Sequence, residues 1–248
     1  MHRTSSTSPR NYRRRFDWGP TGCEVLAEAQ SYLVVVDVLR FTTAVEAAVS
    51  RGAVVYPYQW RDESAQRFAD ELGVPLAASS GSSGPSLSPV ALLDEPTLSA
   101  VVLPSPNGST CSLIAANKGA VVIAGCLRNA GAIANYLATT SLPVSVIACG
   151  ERWPDGTLRP ALEDLLGAGA ILSLLGGELS PEASSAVAEW SDAFNNVAEI
   201  LAQCLSGQEL IERGHGADVE YASGFGVSDV VPVLVNGAFR TATQFPCP

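Results

Sequence analysis

Asp37 and Arg40 stand three residues apart at the end of an apolar run, in SYLVVVDVLRFTT (31–43). The run Leu33–Val36 is short and β-branched, the pattern of a buried strand. Its end places a carboxylate and a guanidinium where an open α/β sheet binds its ligands. Ordinary structural roles compete for both residues, Asp37 as the cap of Thr42–Ser50 and Arg40 as its ion-pair partner.

What weighs toward chemistry is repetition. Asn107-Gly108-Ser109-Thr110, Arg128-Asn129, and the segment from Glu151 to Glu163-Asp164 with Arg152 and Arg159 each follow a strand-like run. Five of the fifteen Lys and Arg lie in the first fifteen residues; of the ten left, four are Arg40, Arg128, Arg152 and Arg159. A guanidinium fork suits bidentate capture of phosphate or carboxylate. Gly-Ser-Thr at a helix start offers free N–H groups at the positive end of a dipole, or else serves as a plain N-cap. Glu163 and Asp164 complement a helix dipole without any function. Adjacent helical residues also diverge by about 100°, so one of the two faces the spot Asp37 faces. Carboxylates, water and a substrate phosphate are the usual set around Mg²⁺. On one rim, these loops describe a Mg²⁺-assisted phosphoryl site, with Asp37 and one of Glu163 and Asp164 as metal ligands.

The elements that must position these residues alternate. Strands are expected at Leu33–Val36, Ala53–Tyr58, Leu98–Leu103, Gly119–Ala124 and Pro143–Ala148. Helices are expected at Thr43–Ser50, Asp62–Leu72, Ser112–Asn117, Ala130–Ala138 and Ala161–Leu175. Such alternation implies an α/β fold, a largely parallel sheet with helices on both faces. A helical segment follows over Ser180–Arg213. A hairpin around Asn236-Gly237 closes the chain, Asn-Gly being a good type I′ turn pair. Within the helical segment Val187, Trp190, Phe194, Val197 and Leu201 share an apolar face, read as core rather than partner surface. A homodimer stays open on general grounds. Residues 1–15 read as a disordered basic leader and 16–248 as a single domain. The Gly/Ser-rich stretch AASSGSSGPSLSP (77–89) reads as a flexible loop without P-loop spacing.

Composition excludes several classes. The chain is 47% hydrophobic with a formal net charge of −10. It has a core-forming composition and no apolar run long enough to span a membrane. Its acidic body repels nucleic acid and anionic membrane, so no such partner is expected. Six scattered cysteines lack the spacing of a zinc site and read as reduced thiols of a cytoplasmic protein. Cys149 lacks a nearby His and reads as a buried thiol, and His215 as a surface residue.

DVLRFTTAVEAA, SPNGS, GCLRNA, LRPALEDLLGAGAIL and DVEYASGFGVSDVVPV, in this order, resemble the 2-phosphosulfolactate phosphatase family. The resemblance runs from about Trp18 to about Phe239. It implies a fold of that family's type and a Mg²⁺-dependent phosphatase releasing 3-sulfolactate and phosphate from 2-phospho-3-sulfolactate. The matching positions are Asp37, Arg40, Asn107, Gly108, Ser109, Arg128, Asn129, Glu163 and Asp164. In the mechanism this suggests, Arg40, Arg128 and the Asn107–Ser109 turn clamp phosphoryl oxygens. Arg159 and Arg152 hold the carboxylate or sulfonate, and water is the nucleophile. One departure bears on specificity: where the family reads G-E-R and then G-F-D-x-G-N-S-P, this chain keeps only Ser88-Pro89. Two rival readings follow, a hydrolase or lyase for another small phosphorylated acid, and a non-catalytic anion-binding module.

Overall fold

Tyr32–Val36 is buried along its whole length, and successive residues serve different cores. Tyr32, Val34 and Val36 join one apolar cluster, Leu33 and Val35 the other. That alternation is the period of two along a strand covered on both faces. The computed structural model describes residues 11–77 and 85–242.

In chain order, β1 (Arg14–Trp18) and α1 (Gly19–Leu26) precede this strand, β2 (Tyr32–Val36). There follow α2 (Phe41–Ser50), β3 (Val54–Tyr58), α3 (Glu63–Leu72), α4 (Pro89–Leu93), β4 (Ala100–Pro104) and α5 (Gly108–Asn117). Next come β5 (Val121–Gly125), α6 (Ala130–Leu137), β6 (Val144–Ala148) and a small antiparallel ribbon, β7 (Glu151–Arg152) with β8 (Leu158–Arg159). Five helices succeed it: α7 (Leu162–Leu174), α8 (Pro181–Ala193), α9 (Val197–Gln203), α10 (Leu205–Glu212) and α11 (Gly216–Ala222). The strands β9 (Pro232–Val235) and β10 (Ala238–Thr241) come last.

Eight strands form one mixed sheet in the order β1-β6-β2-β5-β9-β10-β3-β4. The first four are mutually parallel, as are β3 and β4. The β9–β10 pair sits between these blocks, antiparallel on both sides. Asn236 and Gly237 join the pair, both with positive φ, as a type I′ turn requires. The pair therefore fills the middle of the sheet and does not close an edge. Three antiparallel ladders also make β3 and β4 run opposite to β2. The expectation that all strand ends share one rim by direction alone thus fails for β4. The segment after it nonetheless reaches Asp37, through Ser105 and Gly108. All of α2 except Ser50 is buried, against β3, β5, β9, β10, α4 and α5.

Two boundaries differ from expectation. The basic leader ends too late: Arg14 and Arg15 belong to an edge strand and their side chains are buried. Arg14 Nε donates to Gly176 O (2.8 Å) and Arg15 pairs with Glu28 (2.7 Å). These cations satisfy local carbonyls and one acid, information that composition does not carry. The rest of the leader, 1–10, and residues 78–84 of the Gly/Ser-rich loop lie outside the described residues. The helical segment after Ser180 is broken at Phe194–Asn196, a 3₁₀ turn, and at Cys204, whose extended backbone caps α10. On its apolar face Trp190, Val197 and Leu201 are buried, while Phe194 is exposed and packs edge-on to Trp190.

On the face opposite α2, α7 packs against β6, β2, β5 and α8. Gly169 makes the α7–α8 approach feasible, since a Cβ there would lie 2.1 Å from the Ala186 carbonyl oxygen. We expect Gly169→Ala to force the helices apart and destabilise the protein by about 1–3 kcal/mol, read as a lower urea midpoint at unchanged slope.

Candidate active site

The loop between β2 and α2 is locked by its two threonines. Thr42 Oγ1 donates to Asp37 O (2.8 Å) and accepts from Asp37 N (3.0 Å), and Thr43 Oγ1 donates to Val38 O (2.7 Å). This is the physical content of the Thr-Thr that follows Arg40-Phe41. It holds the Asp37 carboxylate over the first turn of α2, where Phe41 N donates to it (3.1 Å). The first turn of α5 reaches the same carboxylate: Gly108 N donates at 3.0 Å and Ser105 Oγ at 3.3 Å. A Cβ on residue 108 would meet Phe41 Cδ1 at 2.2 Å and Asp37 Oδ2 at 2.8 Å, so only glycine permits this approach. The anion-ready start of α5 is thus engaged by the protein's own carboxylate.

Asp37 shares a cavity of about 90 Å³ with Arg40, Arg61, Asn107, Glu151 and Arg213. Burial, and secondarily the charge of Glu151, push its pKa up to about 7, against the lowering effect of the Phe41 and Gly108 N–H groups. Burial also raises Glu151, while the Asn107 amide, donating to Oε2 at 2.9 Å, acts the other way. Burial and a neighbouring carboxylate thus disfavour the ionised form of Asp37, the condition under which a site takes a cation or keeps a proton. Arg40 lines this cavity and the larger one beside it, of about 480 Å³. Asp218, itself buried, holds Arg40 Nη1 at 2.6 Å while accepting from Ser88 Oγ. The remaining guanidinium donors are left for a ligand.

Other residues expected in the site lie elsewhere. Ser109 is buried and donates to Leu103 O (3.1 Å). Arg128 pairs with the buried Glu46 (3.0 Å), donates to Tyr221 O and stacks on the Tyr221 ring at 3.5 Å. Asn129 spans Ala124 O and Val230 O with its amide and accepts from Cys126 N. Both oxygens of Asp164 accept backbone N–H bonds, from Val38 (2.7 Å) and Gly150 (2.8 Å), bracing the ends of β2 and β6. Burial, then the charges of Asp37 and Glu163, push Asp164 well above the usual carboxylate range. Glu163 is buried too. Arg152 donates to Pro106 O (3.3 Å) beside a further cavity that shares Asn107 and Glu151 with the Asp37 cavity, and Arg159 Nη2 donates to Ser206 Oγ (3.3 Å).

Among the described residues, no group of three or more His, Cys, Asp or Glu is placed to hold a metal ion. Asp164 lies close enough to Asp37 and Glu163 for their charges to raise it, but both of its oxygens already accept backbone N–H bonds. The Asp37–Glu151 pair does fit Mg²⁺, which commonly takes one or two carboxylates and completes its shell with water and substrate phosphate. Sequence reasoning took Glu151 only as the start of its segment and gave no role to Arg61, Arg213 and Asp218. Asp218 opens the DVEYASGFGVSDVVPV stretch, while Arg213 ends the helical segment with no local mark of function.

The match to known proteins now has a geometry to attach to. A family model, 2-phosphosulpholactate phosphatase, matches residues 23–237. The chain belongs to this family. A probable 2-phosphosulfolactate phosphatase of Carboxydothermus hydrogenoformans is 35% identical over 211 residues, covering 81% of this chain and 84% of that one. The Thermus thermophilus protein of the same description is 32% identical over 214 residues, covering 82% and 87%. The 2-phosphosulpholactate phosphatase match spans every element from α1 to β9, and its class is that of a phosphoric monoester hydrolase. No helix among the described residues is long and apolar enough to cross a membrane.

The raised carboxylates set a direction for pH. An Asp titrates at about 3.9 in the unfolded chain and Asp37 at about 7 in the fold, so between these values the folded state binds more protons. Stability then falls as pH rises, and Asp164 and Glu151 act in the same sense. In EDTA the thermal midpoint is expected to drop between pH 5 and pH 8. Asp37→Asn should flatten that slope and raise the midpoint at pH 8; a steeper slope would contradict the assignment.

Proposed function

We propose that this chain is a Mg²⁺-dependent phosphatase that hydrolyses 2-phospho-3-sulfolactate to 3-sulfolactate and orthophosphate. One observation carries the reading: Asp37 and Glu151 share a cavity with Arg40, Arg61 and Arg213, in a chain of formal net charge −10. Cationic side chains gathered there, against the charge of the whole body, select a small polyanion.

Asp37 and Glu151 would hold Mg²⁺, which when bound offsets the charge developing on the phosphoryl oxygens. Arg40, fixed by Asp218, donates to the phosphoryl group from the cavity wall. Asn107 orients Glu151 through its amide. Water attacks phosphorus, the ester P–O bond breaks, and the leaving oxygen takes up a proton to give the hydroxyl of sulfolactate. In this reading Asp37 works as an anion, so the proton it keeps in the free protein must leave when the cation enters. Metal binding is then favoured by higher pH.

The test is phosphate release from 2-phosphosulfolactate, 2-phospholactate and 2-phosphoglycerate, each with Mg²⁺ and with EDTA. Release is expected with Mg²⁺ only, and Asp37→Asn should lower kcat by about 10²–10³-fold, as for other groups that stabilise developing charge. Release only from a substrate without sulfonate would keep the chemistry and move the specificity. No release from any would overturn the proposal.

Asp218→Asn isolates the positioning of Arg40. It keeps the shape and removes the charge, so kcat/KM should fall by about tenfold or more, the cost of one charge-assisted hydrogen bond. An unchanged kcat/KM would show that Arg40 needs no such anchor.

A further inference from the structure

We infer that Arg61 and Arg213 form the subsite for the sulfonate, the acid group of the substrate farthest from the reacting phosphate. This deepens the phosphatase reading and rests on it. The two cavities share Arg40, Arg61, Leu87 and Arg213 as common walls. The smaller, about 90 Å³, contains Asp37 and Glu151 and suits the phosphoryl group. The larger, about 480 Å³, is lined by neither of those carboxylates. A molecule with its phosphate in the first cavity and its other end in the second runs past Arg40, Arg61 and Arg213.

Of the three arginines common to both cavities, Arg61 and Arg213 are the two without an ion pair among the described residues. Arg15, Arg40, Arg67, Lys118 and Arg128 each have a carboxylate partner. Arg61 has a single side-chain hydrogen bond among the described residues, Nε to Pro104 O at 3.4 Å. For the Arg213 side chain no hydrogen bond or ion pair occurs among the described residues. Neither guanidinium forms an ion pair among the described residues, and in a chain with ten more acids than bases both line the cavity of Asp37 and Glu151, whose carboxyls feel the charge of Arg61. Besides Asp37 and Glu151, the acids lining the two cavities are Asp62 and Glu209. Asp62 is committed to Ser64 as the cap of α3. A sulfonate presents three oxygens in a tetrahedral array, which two guanidinium forks can engage at once. The residues that sequence reasoning chose for this task, Arg152 and Arg159, line neither cavity.

The experiment compares 2-phosphosulfolactate with 2-phospholactate, which carries a methyl group in place of the sulfonate arm. Both are assayed with the full-length wild type, Arg61→Gln, Arg213→Gln and the corresponding Lys variants. Each Gln variant should lower the ratio of the two kcat/KM values by about tenfold. The loss should appear in the KM for 2-phosphosulfolactate more than in kcat, and Lys should restore part of it. Thermal midpoints should stay close to wild type, because both side chains are at the surface. An unchanged ratio in both Gln variants would overturn the inference, as would equal losses on the two substrates. If the wild type cleaves neither substrate, the phosphatase reading fails by itself. The subsite is then read by calorimetric titration with 3-sulfolactate and lactate. Tighter wild-type binding of sulfolactate that both Gln variants lose would support it, and no wild-type preference would overturn it.

Discussion

The Asp37 carboxylate is the constraint on which this fold and its chemistry both depend. It accepts N–H bonds from the first turns of two helices, α2 and α5. Those turns carry unpaired donors and a partial positive charge, and one buried anion meets both. In doing so it joins the end of β2 to the end of β4, two strands of opposite direction. The local sequence is shaped around this contact: Thr42 and Thr43 hold the loop, and Gly108 leaves room for the oxygen.

The same burial sets the protonation of Asp37. A carboxylate held by N–H groups alone would be expected to ionise more easily than usual. Here desolvation and the neighbouring Glu151 win, and the proton is retained to about pH 7. A cation entering between the two acids relieves both the desolvation and the repulsion. Asp164 shows the structural alternative: both of its oxygens brace backbone N–H groups at the ends of two strands. Two buried carboxylates, one after β2 and one in the first turn of α7, thus divide the work, one facing a cavity and one tying the ends of β2 and β6.

The arginines divide in a similar way. Arg128 and Glu46 form a mostly buried pair that ties the loop after β5 to α2, with Tyr221 and Ser228 completing the glutamate's hydrogen bonds. Such a pair secures a unique arrangement more than it adds stability. Arg40 is also paired, but to a residue on α11 and at a cavity wall. Its anchor lies far along the chain, so the packing of the last helix governs the site at the first long strand.

Much of this was legible in the residues alone. The strand β2, the helix that follows it and the alternation of β and α elements are periodic, and local apolar pattern dictates them. So is the special place of Asp37, Arg40 and Gly108, since a charge ending a buried run and a glycine opening a helix are local signals. Equal signals misplaced Ser109, Arg128 and Asn129, which the structure turns toward backbone groups and a buried acid. Sequence proximity to a strand end says where a residue starts, and the direction of its side chain depends on what else needs a partner there. Glu151 with Asp37, Asp218 beneath Arg40, and Arg61 beside Arg213 come from segments distant along the chain. Only the tertiary structure decided those pairings, because buried charges find their partners across space and the chain order does not record the distance.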